Sequence, residues 1–360
     1  MRDKPYCNAP WLGLAYEGTV GCKPCCEWKG DEFPGTYTDY IKSDYLKKFK
    51  DLMYQDKMHR HCIECIHNEK VGKGSRRQFY QRLPNSPNTE GIYKLIRLDY
   101  RAGNICNMKC RMCSPQSSSL REEEEGMTIP RIDTSDVYDI DLTHLKELSI
   151  LGGEPSIDIP VRKFIDHVSN AVNCGVLITT NGTNASNKWF ETLKKIKDLY
   201  ITLSIDATGD IQDYQRKGGE WSKIKKNIIK YRDTFGDKCD IHLSATAINF
   251  PVLDKWWDEL LDLDISVEIF QVHYPVSMSI DAIPDKYKEE QIDWLKNWIV
   301  KQSHLHKINT AKSAISILKT SKYNPVYNKK FIQWTNKLDN LRNEDIRNID
   351  KRFEVIMNER

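Results

Sequence analysis

Between residues 91 and 275 the apolar positions of this chain switch repeatedly between two periods. Short β-branched runs at IYKLIRLDY (92–100), LKELSILGG (145–153), GVLITTNGT (175–183), LYITLSID (199–206), DIHLSATAI (240–248) and SVEIFQVH (266–273) predict strands. Helix-period stretches lie between them, such as IPVRKFIDHVSNAV (159–172) and EWSKIKKNIIKYRDTF (220–235). Strand alternating with helix predicts an α/β fold, a parallel sheet with helices outside it. Six such units are too few to close a (β/α)8 barrel. The pattern fits either a partial (β/α)6 TIM-like barrel or an open doubly wound sheet, and periodicity alone does not separate them. In the fourth run Thr202, Ser204 and Asp206 alternate with Ile201, Leu203 and Ile205. Period two puts the polar set on one face, which suits a ligand-lined interior.

The flanks read differently. Residues 1–90 have few periodic apolar runs and hold six of the eleven cysteines. They are read as a small Cys-rich domain, 91–280 as the barrel, and 281–360 as a helical, Lys- and Asn-rich extension. Trp294, Trp298 and Trp334 are its expected core anchors; the first two lie four apart, on one helix face. Trp256 and Trp257 are expected to pack rather than to bind substrate. The run EEEE (122–125) predicts a solvated helix face.

Composition changes the picture only modestly. An apolar fraction of 39% and an aromatic fraction of 10% over 360 residues suit a folded chain with a sizeable core. No apolar run approaches the ~20 residues needed to span a bilayer. The first residues, MRDKPYCNAPWLGLAYEG, lack the apolar core of a signal peptide, so the reading is cytoplasmic, with no membrane partner. Thiols there stay reduced, which favours metal binding or catalysis over disulfides. A net charge of +3, spread through mixed signs, gives no argument for nucleic acid.

The chemistry concentrates in ICNMKCRMCS (105–114), which sets Cys106, Cys110 and Cys113 just beyond the first predicted strand. In parallel α/β folds ligands bind at that end of the strands. A structural zinc site closes with four ligands; three thiolates leave a coordination position open. Soft thiolates select iron–sulfur clusters or zinc. With this Cys-x3-Cys-x2-Cys spacing the chain resembles the radical S-adenosylmethionine (SAM) superfamily, although Met112 stands where that family places an aromatic. The resemblance implies that the three cysteines hold a [4Fe–4S] cluster and that SAM chelates its fourth iron. Reductive cleavage would then yield a 5′-deoxyadenosyl radical that abstracts hydrogen. It also implies that GGEP, Gly152, Gly153, Glu154 and Pro155, binds the SAM amino group. Asn181 in TTNGT would lie near the ribose, and Ser204 and Arg216 would meet the carboxylate.

The N-terminal cysteines pose a second metal question. Cys22-x2-Cys25 and Cys62-x2-Cys65 have zinc-ribbon spacing. Yet 36 residues separate the two pairs, against a usual interval of about 15–20, and Cys7 and Cys26 are left over. YCNAPWLGLAYEGTVGCKPCC followed by CIECIHNEKVGKGSRRQ resembles the twitch or SPASM-like auxiliary-cluster module. That resemblance implies a second iron–sulfur cluster on Cys7, Cys25, Cys62 and Cys65, with Cys22 and Cys26 as alternates and zinc as the alternative metal. His59, His61 and His67 flank the set, but the cysteines suffice without them. The module usually follows the barrel. Here it precedes it, an order similar to that of radical SAM proteins of phages and marine bacteria, whose C-terminal ends FIQWTNKLDNLRNEDI (331–346) also resembles.

The expected function is therefore radical SAM modification of a substrate, a peptide or protein first and a small molecule such as a sugar or nucleoside second. The auxiliary cluster would aid oxidation or bind substrate, and flavodoxin or ferredoxin would supply electrons. A non-catalytic zinc-binding protein is the reading from another class, but it has no use for GGEP beside three cysteines. Asp206 and His273, with Tyr274 beside it, are weaker substrate-side candidates at strand ends.

Overall fold

A computed structural model describes residues 6–55, 59–70, 74–83, 94–171 and 173–358. Residues 92 and 93 of the first predicted strand lie outside these, as do residues 71–73 of the second cysteine motif. The fold is mixed α/β with mostly parallel strand pairing, the class expected from the alternating periods. In chain order the strands are β1 (Gly13–Glu17), β2 (Gly21–Lys23), β3 (Arg97–Arg101), β4 (Lys109–Cys110), β5 (Glu147–Ile150), β6 (Gly175–Thr180), β7 (Leu199–Ser204), β8 (Arg216–Lys217), β9 (Cys239–Ala245) and β10 (Ser266–Gln271). Each of the six predicted runs overlaps one of them.

The chain forms two compact units. The first comprises Met1–Cys106, Pro115–Thr179 and Ser186–Tyr200; the second comprises Asn107–Ser114, Thr180–Ala185 and Ile201–Arg360. In the first, β1, β3, β5 and β6 pair in parallel in sequence order, and β2 adds antiparallel to β1. In the second, β7, β9 and β10 pair in parallel, again in sequence order. Neither set reverses direction as a doubly wound sheet does at its switch point. β1 comes from the Cys-rich stretch that showed no strand period. All five of its residues are buried, so neither alternation nor length marks it. β4 and β8 form a two-residue antiparallel ladder pairing Cys110 with Arg216, too short to leave any pattern.

The predicted helices form at Ile159–Ala171 and Trp221–Phe235, and Asp285–Val300, Leu305–Thr320 and Pro325–Arg342 make up most of the C-terminal part. The last shows why its ends fall where they do. Asn324 accepts hydrogen bonds from the amides of Val326 and Tyr327, Pro325 needs no donor partner in the first turn, and Asn343 stops the helix in the left-handed region at φ 53°. Trp256, Trp257 and Trp298 are buried, as expected of packing residues, whereas Trp294 and Trp334, also expected as core anchors, are only half-buried.

The acidic run departs from its reading. Within Ser119–Glu124 the Arg121 side chain is fully buried and ion-paired to Glu124 and Glu125. Glu122 accepts from the Asn104 side chain at 2.8 Å, from the Ile129 amide at 2.7 Å, and from Arg131. Three of the four acids thus tie the helix down instead of facing water, because a single buried arginine and a loop asparagine demand their charge. Among the described residues no helix is long and apolar enough to cross a membrane.

Candidate functional site

In the first unit the segment leading into Cys106 is held on both sides. Asn104, buried, donates to the Pro115 carbonyl at 2.7 Å and accepts the Ser119 amide at 2.7 Å. Ser119 in turn accepts the Cys106 amide on its hydroxyl at 3.2 Å. The GGEP turn leaves β5 and closes onto the same segment. Gly153 donates to the Gly103 carbonyl at 3.3 Å and Glu154 to the Ile105 carbonyl at 2.7 Å. A methyl group on Gly153 would meet the Ile105 oxygen at 2.1 Å, and Gly152 sits at φ +136°, so both positions require glycine. Glu154 and Pro155 are buried, and the Glu154 carboxylate accepts the Ser156 amide at 3.1 Å.

In the second unit the remainder of the loop is pinned by side chains from distant segments. Asn181, at the end of β6, donates to Asn107 at 2.9 Å, and Asn107 donates to the Thr183 hydroxyl at 2.9 Å. Arg216, opposite Cys110 in the β4–β8 ladder, donates through Nε to Asp206 at 2.6 Å and through Nη1 to Cys110 Sγ at 3.8 Å. Burial works against the Arg216 charge, but Asp206 and the Cys110 thiol outweigh it and hold the guanidinium above its ordinary range. Asp206 also accepts from Gln215 at 2.8 Å and from the Ser244 amide at 2.8 Å, so its carboxylate anchors two segments, 215–216 and β9. Ser204 ends β7 in register with His242. His273 and Tyr274 are exposed beyond β10, and no hydrogen bond draws them to the cysteine loop.

Sequence reasoning missed Arg111, which lies between two of the loop cysteines and is almost fully buried. It donates to Asp339 at 2.6 Å, Glu344 at 2.7 Å and the Tyr214 carbonyl at 3.0 Å, with its guanidinium 3.6 Å from the Tyr214 ring centroid. Trp334 donates to the Arg111 carbonyl at 3.0 Å. An arginine between cysteines was visible; acids more than 220 residues away were not. Asp158 was also missed. It caps the helix Ile159–Ala171 through the Val161 amide, and burial raises its carboxyl above the usual range.

The N-terminal cysteines, all in the first unit, separate into two groups. Cys7, Cys25, Cys62 and Cys65 line one cavity with Tyr80, Trp28 and His61. That cavity lies against an apolar cluster of Ala9, Trp11, Leu12, Trp28, Phe49 and Met53. Burial pushes the Cys7 thiol up to about 12 and Cys62 up to about 11, so without a cation both stay protonated. Cys65 faces the backbone amides of Arg77 and Arg76. Tyr80 carries a buried hydroxyl with no hydrogen-bond partner in this lining, and so does His61 at Nδ1. Cys22 and Cys26 do not line the cavity. Cys22, on β2, points at the Gly35 carbonyl 3.8 Å away; Cys26 has Asp99 and Arg76 as its charged neighbours. The side chain of His67 lies outside the described residues. Among the described residues no three of these cysteines bring their sulfurs within 4.8 Å of one another. A tetrahedral zinc with Zn–S bonds of about 2.3 Å would set them about 3.8 Å apart.

The site thus sets a three-cysteine loop after β3 and a glycine–glutamate turn after β5 of a mostly parallel α/β fold. Residues 100–264 match the family described as the radical SAM superfamily. A Methanococcus vannielii protein named for GTP 3′,8-cyclase activity is 28% identical over 159 residues, covering 44% of this chain and 50% of its own. A Methanocaldococcus jannaschii protein named for glycyl-radical enzyme activation is 29% identical over 152 residues, covering 40% of this chain and 60% of its own. The chain spans about half the length of the curated relatives it matches. Among solved structures, native anSMEcpe with bound AdoMet is 17% identical with a TM-score of 0.43, covering 56% of this chain and 60% of the other.

Proposed function

We propose that this chain is a radical SAM enzyme that abstracts a hydrogen atom from a peptide or protein substrate. The observation that carries the reading is the bonding of the GGEP turn onto the segment that immediately precedes Cys106. A SAM-binding turn and a cluster loop must adjoin, and a structural metal loop has no such need. Cys106, Cys110 and Cys113 would hold a [4Fe–4S] cluster, whose chemistry with bound SAM is the supply of a 5′-deoxyadenosyl radical. Glu154 would take the SAM ammonium with Gly152, Gly153 and Pro155 shaping the turn, Asn181 would lie near the ribose, and Ser204 and Arg216 would take the carboxylate. Arg216 also sets a guanidinium against the Cys110 sulfur at 3.8 Å.

The second part of the proposal places an auxiliary iron–sulfur cluster on Cys7, Cys25, Cys62 and Cys65. Its support is the donor set itself: four thiols sharing one apolar-walled cavity, spaced too widely for a single zinc. Four protein thiolates satisfy every corner of a [4Fe–4S] cube, which favours electron acceptance, and so oxidation, over direct substrate binding. Flavodoxin or ferredoxin is the proposed donor, in the cytoplasm. Asp206 and His273 remain substrate-side proposals, and the bonds Asp206 already makes favour a positioning role for it.

A small-molecule substrate is the second reading, favoured by relatives named for a reaction of GTP. A zinc-binding protein without catalysis is the alternative of another class. Iron, sulfide and zinc analysis of anaerobically purified protein separates them. About eight irons per chain, from two [4Fe–4S] clusters, supports the proposal. One zinc and no iron overturns it.

A further inference from the structure

On β9 and β10 of the second unit three potential metal ligands converge. Register pairs Glu268 with His242, and Asp240 stands two residues from His242, so all three project from one face. His242 Nε2 lies 3.5 Å from Asp240 Oδ2 and 3.6 Å from Glu268 Oε2. The three ligand atoms fall within 4.8 Å of one another.

These separations decide between two accounts. A direct N–H···O hydrogen bond closes to about 2.7–3.2 Å, so the imidazole bonds neither carboxylate well. Four-coordinate ligands about 2.1 Å from one ion stand about 3.4 Å apart. Both gaps match that edge. The same nitrogen faces both carboxylates, as a shared ion requires.

The surroundings hold the ligands in place. Thr202, paired with Asp240 across β7 and β9, donates to Asp240 Oδ1 at 3.1 Å, leaving Oδ2 as the oxygen turned toward His242. Such hydrogen bonds to ligating carboxylates orient metal sites. The Phe270 ring, 4.6 Å from the His242 ring, restricts the imidazole. Exposure rises across the set, from a side-chain value of 2% at Asp240 through 32% at His242 to 60% at Glu268. An ion would therefore have a buried anchor and an open entry side.

We propose that Asp240, His242 and Glu268 bind one first-row divalent cation. Imidazole with two carboxylates suits manganese, ferrous iron or zinc, and the donor set is distinct from the soft thiolates elsewhere in the chain. The assignment does not depend on the radical SAM reading.

Mn2+ is the probe, because carboxylate and imidazole accept it whereas thiolate sites select softer metals. Anaerobically purified full-length protein, with its native metals left in place, is titrated with Mn2+ while the free-ion electron paramagnetic resonance signal is followed. The expected result is a saturable site at one Mn2+ per chain, weakened at least about tenfold by Glu268→Gln and by His242→Ala. Thr202→Val, which removes only the orienting hydrogen bond, should weaken it about 10–100-fold. Glu268 is exposed and Gln is isosteric, so that variant tests the site even where His242→Ala disturbs folding. No saturable site in the wild type, or an affinity unmoved by Glu268→Gln, overturns the proposal and leaves an imidazole–carboxylate ion pair.

Discussion

The Glu154 amide donates to the Ile105 carbonyl at 2.7 Å, so the turn that ends β5 is fastened to the residue before Cys106. Any shift of that turn is a shift of the loop that carries the first cluster thiol. On the proposed reading the two residues would couple SAM binding to cluster holding within one unit, and substitution can take that coupling apart.

Glu154→Ala keeps the backbone bond and removes the carboxylate. A hydrogen bond to a charged group contributes roughly 1.5–3 kcal/mol, so SAM affinity should fall about 10- to 150-fold while iron content stays normal. Gly153→Ala should do the reverse. Its methyl group meets the Ile105 oxygen, and the loop must move, so iron at the Cys106 site should drop. Equilibrium binding of SAM and iron analysis read the two arms; SAM affinity within twofold of wild type in Glu154→Ala would reduce GGEP to a turn.

Arg111 is the strut of the second unit. Removing one member of a buried ion pair costs about 3–5 kcal/mol, and Arg111→Met would leave Asp339 and Glu344 facing the gap. Urea unfolding should show a loss of that size, and Asp339→Asn combined with it should cost less than the sum of the two single changes. A loss below about 1 kcal/mol would mean that Arg111 does not fasten the loop.

How far the sequence reveals this site follows from the range of the interactions. The cysteine spacing, GGEP and TTNGT are local patterns, and each marks a strand end that the structure contains. Of the alternating set Thr202, Ser204 and Asp206, Thr202 bonds the Asp240 side chain on β9 and Asp206, just past β7, accepts the Ser244 amide. What stayed hidden depends on partners far along the chain. Arg111 meets acids in the helix Pro325–Arg342 and just beyond it, Arg216 faces Cys110 through a two-residue ladder, and the EEEE run answers to a buried arginine and to Asn104. β1 was missed because a five-residue strand buried throughout carries no period.

Glu122 sets a pH dependence. Hydrogen bonds from Asn104 and the Ile129 amide, with Arg131, hold its carboxyl at about 2, below the ordinary 4.5. A depressed folded value contributes stability that is complete above the ordinary value and is lost as pH falls toward the folded one. Urea midpoints should therefore fall more steeply between about pH 4.5 and 2 in the wild type than in Glu122→Gln. Parallel slopes would contradict the assignment.

The N-terminal cysteines can be assigned by iron counting. With Cys106, Cys110 and Cys113 replaced by Ala, about four irons should remain, the complement of one [4Fe–4S] cluster. Adding Cys7→Ala should remove or destabilise them and lower the stability of the first 90 residues, because the metal ties those loops together. Cys22→Ala should leave the count near its parent's. Retention of one zinc, indifferent to Cys7, would identify a structural clip and leave the enzyme without an internal electron acceptor.

The most direct measurement is release of 5′-deoxyadenosine from SAM by the reduced, reconstituted protein. The account predicts steady release by the wild type and none when Cys106, Cys110 and Cys113 are all replaced by Ala. Undiminished release from that variant, or no release from wild type with a full complement of iron, would contradict it.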